Sequence, residues 1–234
     1  SMLVYQPHEK RQHAIYVIRQ NGRNGETANP FWFGLRSYGK LNESFKHWLE
    51  VSMLRGDDDG TSLRGSAIDA GLTWLIDAPY KPNLTLGFAQ GSGDNKPDDG
   101  KDHNFRQTGM QDNDDRFAGV TSFRYYGEVL DPELSNIRIL TLGAGFRPTR
   151  KSSVDLVWHH YRQVEASDQM RDIALDDPNG LSRDLGQALD LVLGYREIKN
   201  LKMELMLGWF FPGDAYAPRD DPAFFLGSEI RLKF

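Results

Sequence analysis

The groups of this sequence whose spacing could do chemistry are its arginines and carboxylates. By alternation, Arg36, Arg124, Arg138, Arg196, Arg231 and Lys233 each fall on the less apolar side of a strand-like stretch. Fixed cations on such faces hold anions, and in a narrow, water-poor passage each attraction exceeds its bulk value several-fold. Arginine suits this better than lysine, because its planar fork grips a carboxylate by two hydrogen bonds and keeps its proton. The same faces carry Asp190 and Glu204, with Glu50, Asp155 and Glu229. The plainer expectation is that each cation pairs with one of these acids, or with Glu128, and braces the interior. Glu204 in particular argues for a mixed face over a uniformly positive one. A ladder of alternating charge still offers weak binding at many sites, which lets a polymer move on.

Catalysis is not expected. Ser153, Asp155, His159 and His160 stand close in sequence, and Asp155 shares a strand face with His159. Strand rise separates those two by about 13 Å, too far for a hydrogen-bonded pair. His160 points the other way, and no Gly-x-Ser-x-Gly elbow occurs. Asp57-Asp58-Asp59-Gly60 and the stretch from Asp94 to Asp102 could offer carboxylates to calcium. Neither fits the twelve-residue calcium loop, so both read as solvated loop charge. No catalytic residue, cofactor or metal is expected.

The elements that must position these residues are strands. In Phe224–Phe234, Phe224, Leu226, Ile230, Leu232 and Phe234 alternate with Phe225, Gly227, Glu229, Arg231 and Lys233. A period of two over about ten residues marks a strand with one apolar face, long enough when tilted to cross a bilayer. Similar alternation runs through residues 13–20, 31–39, 45–55, 68–76, 84–89, 154–161, 189–196 and 201–209, and strands are also expected from Gly119 through Arg138. Asn104–Met110 could form a short strand or remain loop, and with it as a strand the count is about twelve. Short turns alternate with long polar loops, as in barrels with short periplasmic turns and long outer loops.

Composition agrees with a membrane barrel. The chain has 234 residues, 39% hydrophobic, 23 glycines and no cysteine, with a mean hydropathy of −0.57. No apolar run is long enough for a transmembrane helix, but a barrel needs only alternate residues facing lipid. The net charge of −5 and the lack of a Lys/Arg run give no reason to expect nucleic acid. No signal peptide is visible, and Ser1-Met2 reads as a cloning remnant on a processed or trimmed chain. Trp74, Tyr80, Tyr195 and Trp209 sit near strand ends, where interfacial girdles belong. The expectation is therefore an all-β, antiparallel transmembrane β-barrel, with residues 1–234 as one domain. The rival is a soluble barrel or sandwich that binds carbohydrate in a cavity lined with aromatics and arginine.

Several stretches resemble the alginate export porins of bacterial outer membranes. The closest are Gly91-Ser92-Gly93-Asp94 and Phe105-Arg106-Gln107-Thr108-Gly109. Glu133-Leu134-Ser135-Asn136, Gly186-Gln187 followed by Leu189-Asp190-Leu191-Val192, and Pro212-Gly213-Asp214-Ala215-Tyr216 follow in order. Trp32-Phe33-Gly34-Leu35-Arg36 and Ala70-Gly71-Leu72-Thr73-Trp74 look like earlier strands of the same family. The resemblance implies an eighteen-stranded barrel, matched here over its C-terminal two-thirds. It implies an outer-membrane location, contact with lipid and lipopolysaccharide, and periplasmic proteins that feed the polymer. The function implied is passive export of an anionic, alginate-like exopolysaccharide, with a general porin for small anionic sugars as the alternative. Arg106 joins the pore-lining candidates through its motif. The family's long periplasmic turn before the penultimate strand, which plugs the pore, is cut here to Glu197-Ile198-Lys199-Asn200.

Overall fold

A computed structural model describes residues 1–8, 11–22, 28–108, 113–219 and 221–233. The strands are β1 (Met2–His8), β2 (Arg11–Arg19), β3 (Phe31–Lys40), β4 (Phe45–Asp58), β5 (Thr61–Leu63), β6 (Ser66–Leu75), β7 (Asn83–Gly91) and β8 (Lys101–Asp102). They continue as β9 (Asp114–Asp115), β10 (Phe123–Arg124), β11 (Ile137–Thr149), β12 (Ser152–Gln163), β13 (Asp184–Tyr195), β14 (Leu201–Pro212) and β15 (Ala223–Leu232). Eleven of them form one antiparallel path, β1-β2-β3-β4-β6-β7-β11-β12-β13-β14-β15. β5 and β8 extend that sheet beside β4, and β9 pairs only with β10. β1 and β15 run in the same direction, and the path is open between them among the described residues.

Two of the strands counted from the sequence are not there. Residues 103–108 are irregular, so Arg106 stands in a loop; Gly109 and Met110 lie outside the described residues. Arg124 belongs to the two-residue ladder β9–β10, not to a spanning strand. The expected count of about twelve becomes eleven long strands. Phe234, expected to end the last apolar face, also lies outside the described residues.

The register carries one face across the sheet. Leu84, Leu86 and Phe88 of β7 lie opposite Ala144, Leu142 and Leu140 of β11, and all but Ala144 are exposed large apolar residues. The row continues through Trp158, Leu189, Trp209 and Phe224 on successive strands. In a soluble sandwich these apolar faces would meet each other in a core. Here they point outward as a belt, while the polar and glycine-rich face points in. Trp74, Tyr80 and Tyr195 lie at the end of the short turns, Trp209 lies toward the end of the long loops, and Trp158 is mid-strand opposite Leu142.

Glycine makes room on the inner face. A Cβ on Gly71 would come within 2.1 Å of the Trp48 ring, which lies flat across that strand. The Trp48 indole N–H donates to Asp69 at 2.7 Å and its ring stacks on Phe117 at 5.7 Å. Phe117 belongs to the segment between β8 and β11. Its described part, residues 103–108 and 113–136, leaves the long-loop end and folds against the inner face. The inner face is thus covered by this segment. This segment supplies Phe117, Phe123, Tyr126, Val129 and Leu130 to the buried core.

Candidate functional site

The inward segment is fixed to the wall at successive heights. Near the long loops, the Trp32 indole donates to the Arg106 carbonyl at 2.8 Å. Further in, the Tyr126 hydroxyl donates to Asp69 at 2.9 Å, and the Tyr161 hydroxyl donates to the Tyr126 carbonyl at 2.7 Å. The Glu128 amide donates to Asp190 at 3.2 Å. Burial pushes the Glu128 carboxyl up to about 7, with the nearby Asp190 charge acting the same way. Asp190 is itself fully buried and faces His159 at 3.5 Å.

The tip of the segment reaches the opposite end, where the short turns lie. There the Thr121 hydroxyl donates to Glu204 at 2.5 Å and the Val120 amide donates to Ser153 at 2.9 Å. Arg147 places its fork on the Ala118 carbonyl, at 3.0 Å from Nε and 2.6 Å from Nη2. The Lys46 ammonium donates to the Phe117 carbonyl. Gly119 fits against the wall because it lacks a side chain: a Cβ there would stand 2.2 Å from Asp155 Oδ2.

Around this tip opens a cavity of about 380 Å³ lined by Lys46, Arg116, Arg147, Arg150, Lys151 and Arg196, with Ala118, Gly119 and Val120 as its floor. Among the described residues, no acid lines it. Arg150 and Lys151 come from the β11–β12 turn and Arg196 from the β13–β14 turn. Several cations converge because neighbouring short turns meet at one rim.

The sequence candidates divide into groups. Arg196, Glu204 and Arg231 meet in one ladder. Arg196 lies 3.1 Å from Glu204, Lys202 lies 2.6 Å from Glu204 and 3.0 Å from Glu229, and Arg231 pairs with Glu229. Arg36 faces inward against Glu50 at 3.3 Å. Arg124 lies over the Phe225 ring at 5.5 Å and pairs with Asp131 at 3.3 Å. Arg106 sits away from these, bound to Asp58 and, at 2.7 Å, to Asp102. Burial works against its charge, and the two carboxylates outweigh that and raise its pKa above the ordinary arginine value. The Asp-rich loops thus spend two carboxylates on Arg106, and Asp94 faces His103 at 3.5 Å. The Lys233 amide donates to the Asn200 carbonyl at 3.0 Å, past the end of β15.

Arg138 is a correction. It shares the outer face with Leu140 and Leu142, and its Nε donates to Gln90 at 2.8 Å. Long cations at the border of an apolar belt reach the polar zone with their heads, so an outward arginine is tolerated there. Lys46, Arg116, Arg147, Arg150 and Lys151 were not among the sequence candidates. Alternation from Gly143 and Gly145 already directs Arg147 inward, and alternation from Trp48 does the same for Lys46.

Residues 1–224 match the model of the alginate export family. The alginate production protein AlgE of Pseudomonas aeruginosa is 28% identical over 236 residues, which cover 83% of this chain and 46% of that protein. The protein of the same name from Azotobacter vinelandii is 28% identical over 178 residues, covering 66% of this chain and 36% of that one. The chain therefore spans less than half the length of these curated relatives. Among solved structures, the NanC porin aligns over 100% of this chain and 98% of its own, at 9% identity and a TM-score of 0.43.

Proposed function

Since the chain belongs to the alginate export family, we propose that it forms an outer-membrane conduit through which an alginate-like uronate polymer leaves the cell by diffusion. A uronate chain carries about one negative charge per sugar, so it needs cations at its point of capture and weak, repeated contacts beyond. The observation that carries this reading is the cavity at the short-turn end, whose described lining holds six cations, with only Arg196 paired to an acid, Glu204. In bacterial barrels short turns face the periplasm, which is the side an exported polymer approaches. Beside it at the same end, across β14 and β15, the ladder Arg196–Glu204–Lys202–Glu229–Arg231 offers alternating charge. Such a ladder passes a polyanion along without trapping it. Runs of acidic residues stand at the other end, in the loops around Asp57–Asp59 and Asp94–Asp102, where they discourage return.

Reversal potential in a planar bilayer under a salt gradient tests the reading, followed by oligouronate on the short-turn side. Anion preference and a current blocked by oligouronate are expected. Anion preference without block would favour a general porin for small anionic sugars. Stable channels that prefer cations and ignore uronate would overturn both.

A further inference from the structure

The cations of the short-turn cavity do two jobs with the same atoms. Arg147 and Lys46 line the cavity, and they also hold the carbonyls of Phe117 and Ala118, so the tip of the inward segment hangs on them. Resting on the conduit reading, we propose that this pair is a ligand-operated latch. A uronate carboxylate entering the cavity takes the Arg147 fork and the Lys46 ammonium from the backbone carbonyls, and the tip of the inward segment is let go.

The chemistry favours exchange in that direction. Arg147 now gives two N–H donors to one neutral carbonyl oxygen, with Nη2 also 3.5 Å from the Gly119 carbonyl. A carboxylate meets the fork with two oxygens and a full charge, and charge-assisted bonds of this kind are roughly twice as strong as neutral ones. The carbonyls released stand at an open cavity, where water replaces the lost donors. Arg116, Arg150 and Lys151 surround the pair and raise the local concentration of anions. Among the described residues these three, with Lys46 and Arg147, form no salt bridge. An incoming carboxylate therefore displaces no acid.

The remaining tip contacts suit a part that leaves. Val120 is held by a single amide bond to Ser153, and Thr121 by its hydroxyl on Glu204, an acid already bound by Arg196 and Lys202. Glu204 keeps both cations when Thr121 departs.

The sequence contains no cysteine, so Val120→Cys places one thiol on the buried tip. In the intact protein reconstituted in liposomes, its reaction with a membrane-impermeant maleimide is followed with and without oligouronate, with a neutral oligoglucan as control. Oligouronate should accelerate labelling at least about tenfold and the glucan should not. Adding Arg147→Gln should give fast labelling without ligand and no further acceleration, while Arg138→Gln on the outer face leaves the response intact. Retained heat-dependent gel mobility separates an open latch from a failure to fold. Unchanged or slowed labelling with oligouronate that still blocks current would overturn the latch and leave the conduit standing. Neither block nor acceleration would overturn both.

Discussion

Arg138 and Arg150 stand on opposite sides of the same question. Both belong to β11 or its turn, but Arg138 shares the belt face with Leu140, whereas Arg150 lines the cationic cavity. Reversing the charge at Arg150 places an acid at the rim where anions enter, and the field of such a mouth falls with every cation removed. Arg150→Glu should shift the reversal potential toward cations and lessen block by oligouronate, and high salt should shrink the difference. Arg138→Glu should leave the reversal potential of the wild type unchanged. Equal shifts for the two variants would refute the facing assigned here. At this scale the sequence was legible where alternation was followed strictly, as for Arg36, Arg231 and Glu229. It failed at Arg138, where both faces of β11 carry large apolar residues, Ile137 and Ile139 inward and Leu140 and Leu142 outward, so that alternation alone does not fix the phase. It missed Arg147, Arg150 and Lys151, since residues of different turns converge only once the register of neighbouring strands is fixed.

The element that sequence reading did not find is the inward segment. Its buried residues Phe117, Phe123, Tyr126 and Leu130 lack the two-residue period of a strand, and the three- and four-residue spacing from Phe123 to Leu130 belongs here to turns and bends, not to a helix. Their partners, among them Trp48, Asp69 and Tyr161, lie on strands far away in the chain. Local pattern cannot encode such contacts. Two predictions follow from how the segment is held. Phe117 is 8% exposed, stacks on Trp48 and meets Phe123 edge-on at 5.3 Å. Phe117→Ala should cost about 3–5 kcal/mol of docking free energy, read as faster proteolysis within residues 113–122 while the barrel stays intact. Glu128 gives a pH dependence. Around it stand Arg124 and Asp114 of its own segment, with Asp190 from the wall. Its carboxyl is pushed up to about 7 when docked, so the docked state holds a proton that the undocked state releases from about pH 4.5 upward. Docking is therefore strongest below that pH and weakens as pH rises to about 7, by up to about 3 kcal/mol, and levels off above. Glu128→Gln should flatten this dependence in hydrogen exchange of the segment between pH 5 and 8. A profile that rises with pH in the wild type would contradict the assignment.

At the scale of the whole molecule, the sheet and the direction of its two faces were legible, because a two-residue period survives any error in strand ends. The outward belt is also where the membrane reading meets a sharp test. Leu142 lies mid-strand on the outer face, 47% exposed, between Leu86 of β7 and Trp158 of β12. If that face met water, Leu142→Arg would be a surface change worth no more than about 0.5 kcal/mol. Facing hydrocarbon near the middle of the bilayer, the same arginine costs about 2–4 kcal/mol, and less toward either interface. Arg138, four residues along the same face, already occupies such an interfacial position. The expected result is a loss of about 2–4 kcal/mol for Leu142→Arg in urea unfolding from lipid vesicles, against a few tenths for Ala144→Arg in a detergent micelle that reshapes around the charge. Equal stability of Leu142→Arg and wild type in vesicles would mean that the belt does not face lipid. The sheet would then have to bury that face against another partner.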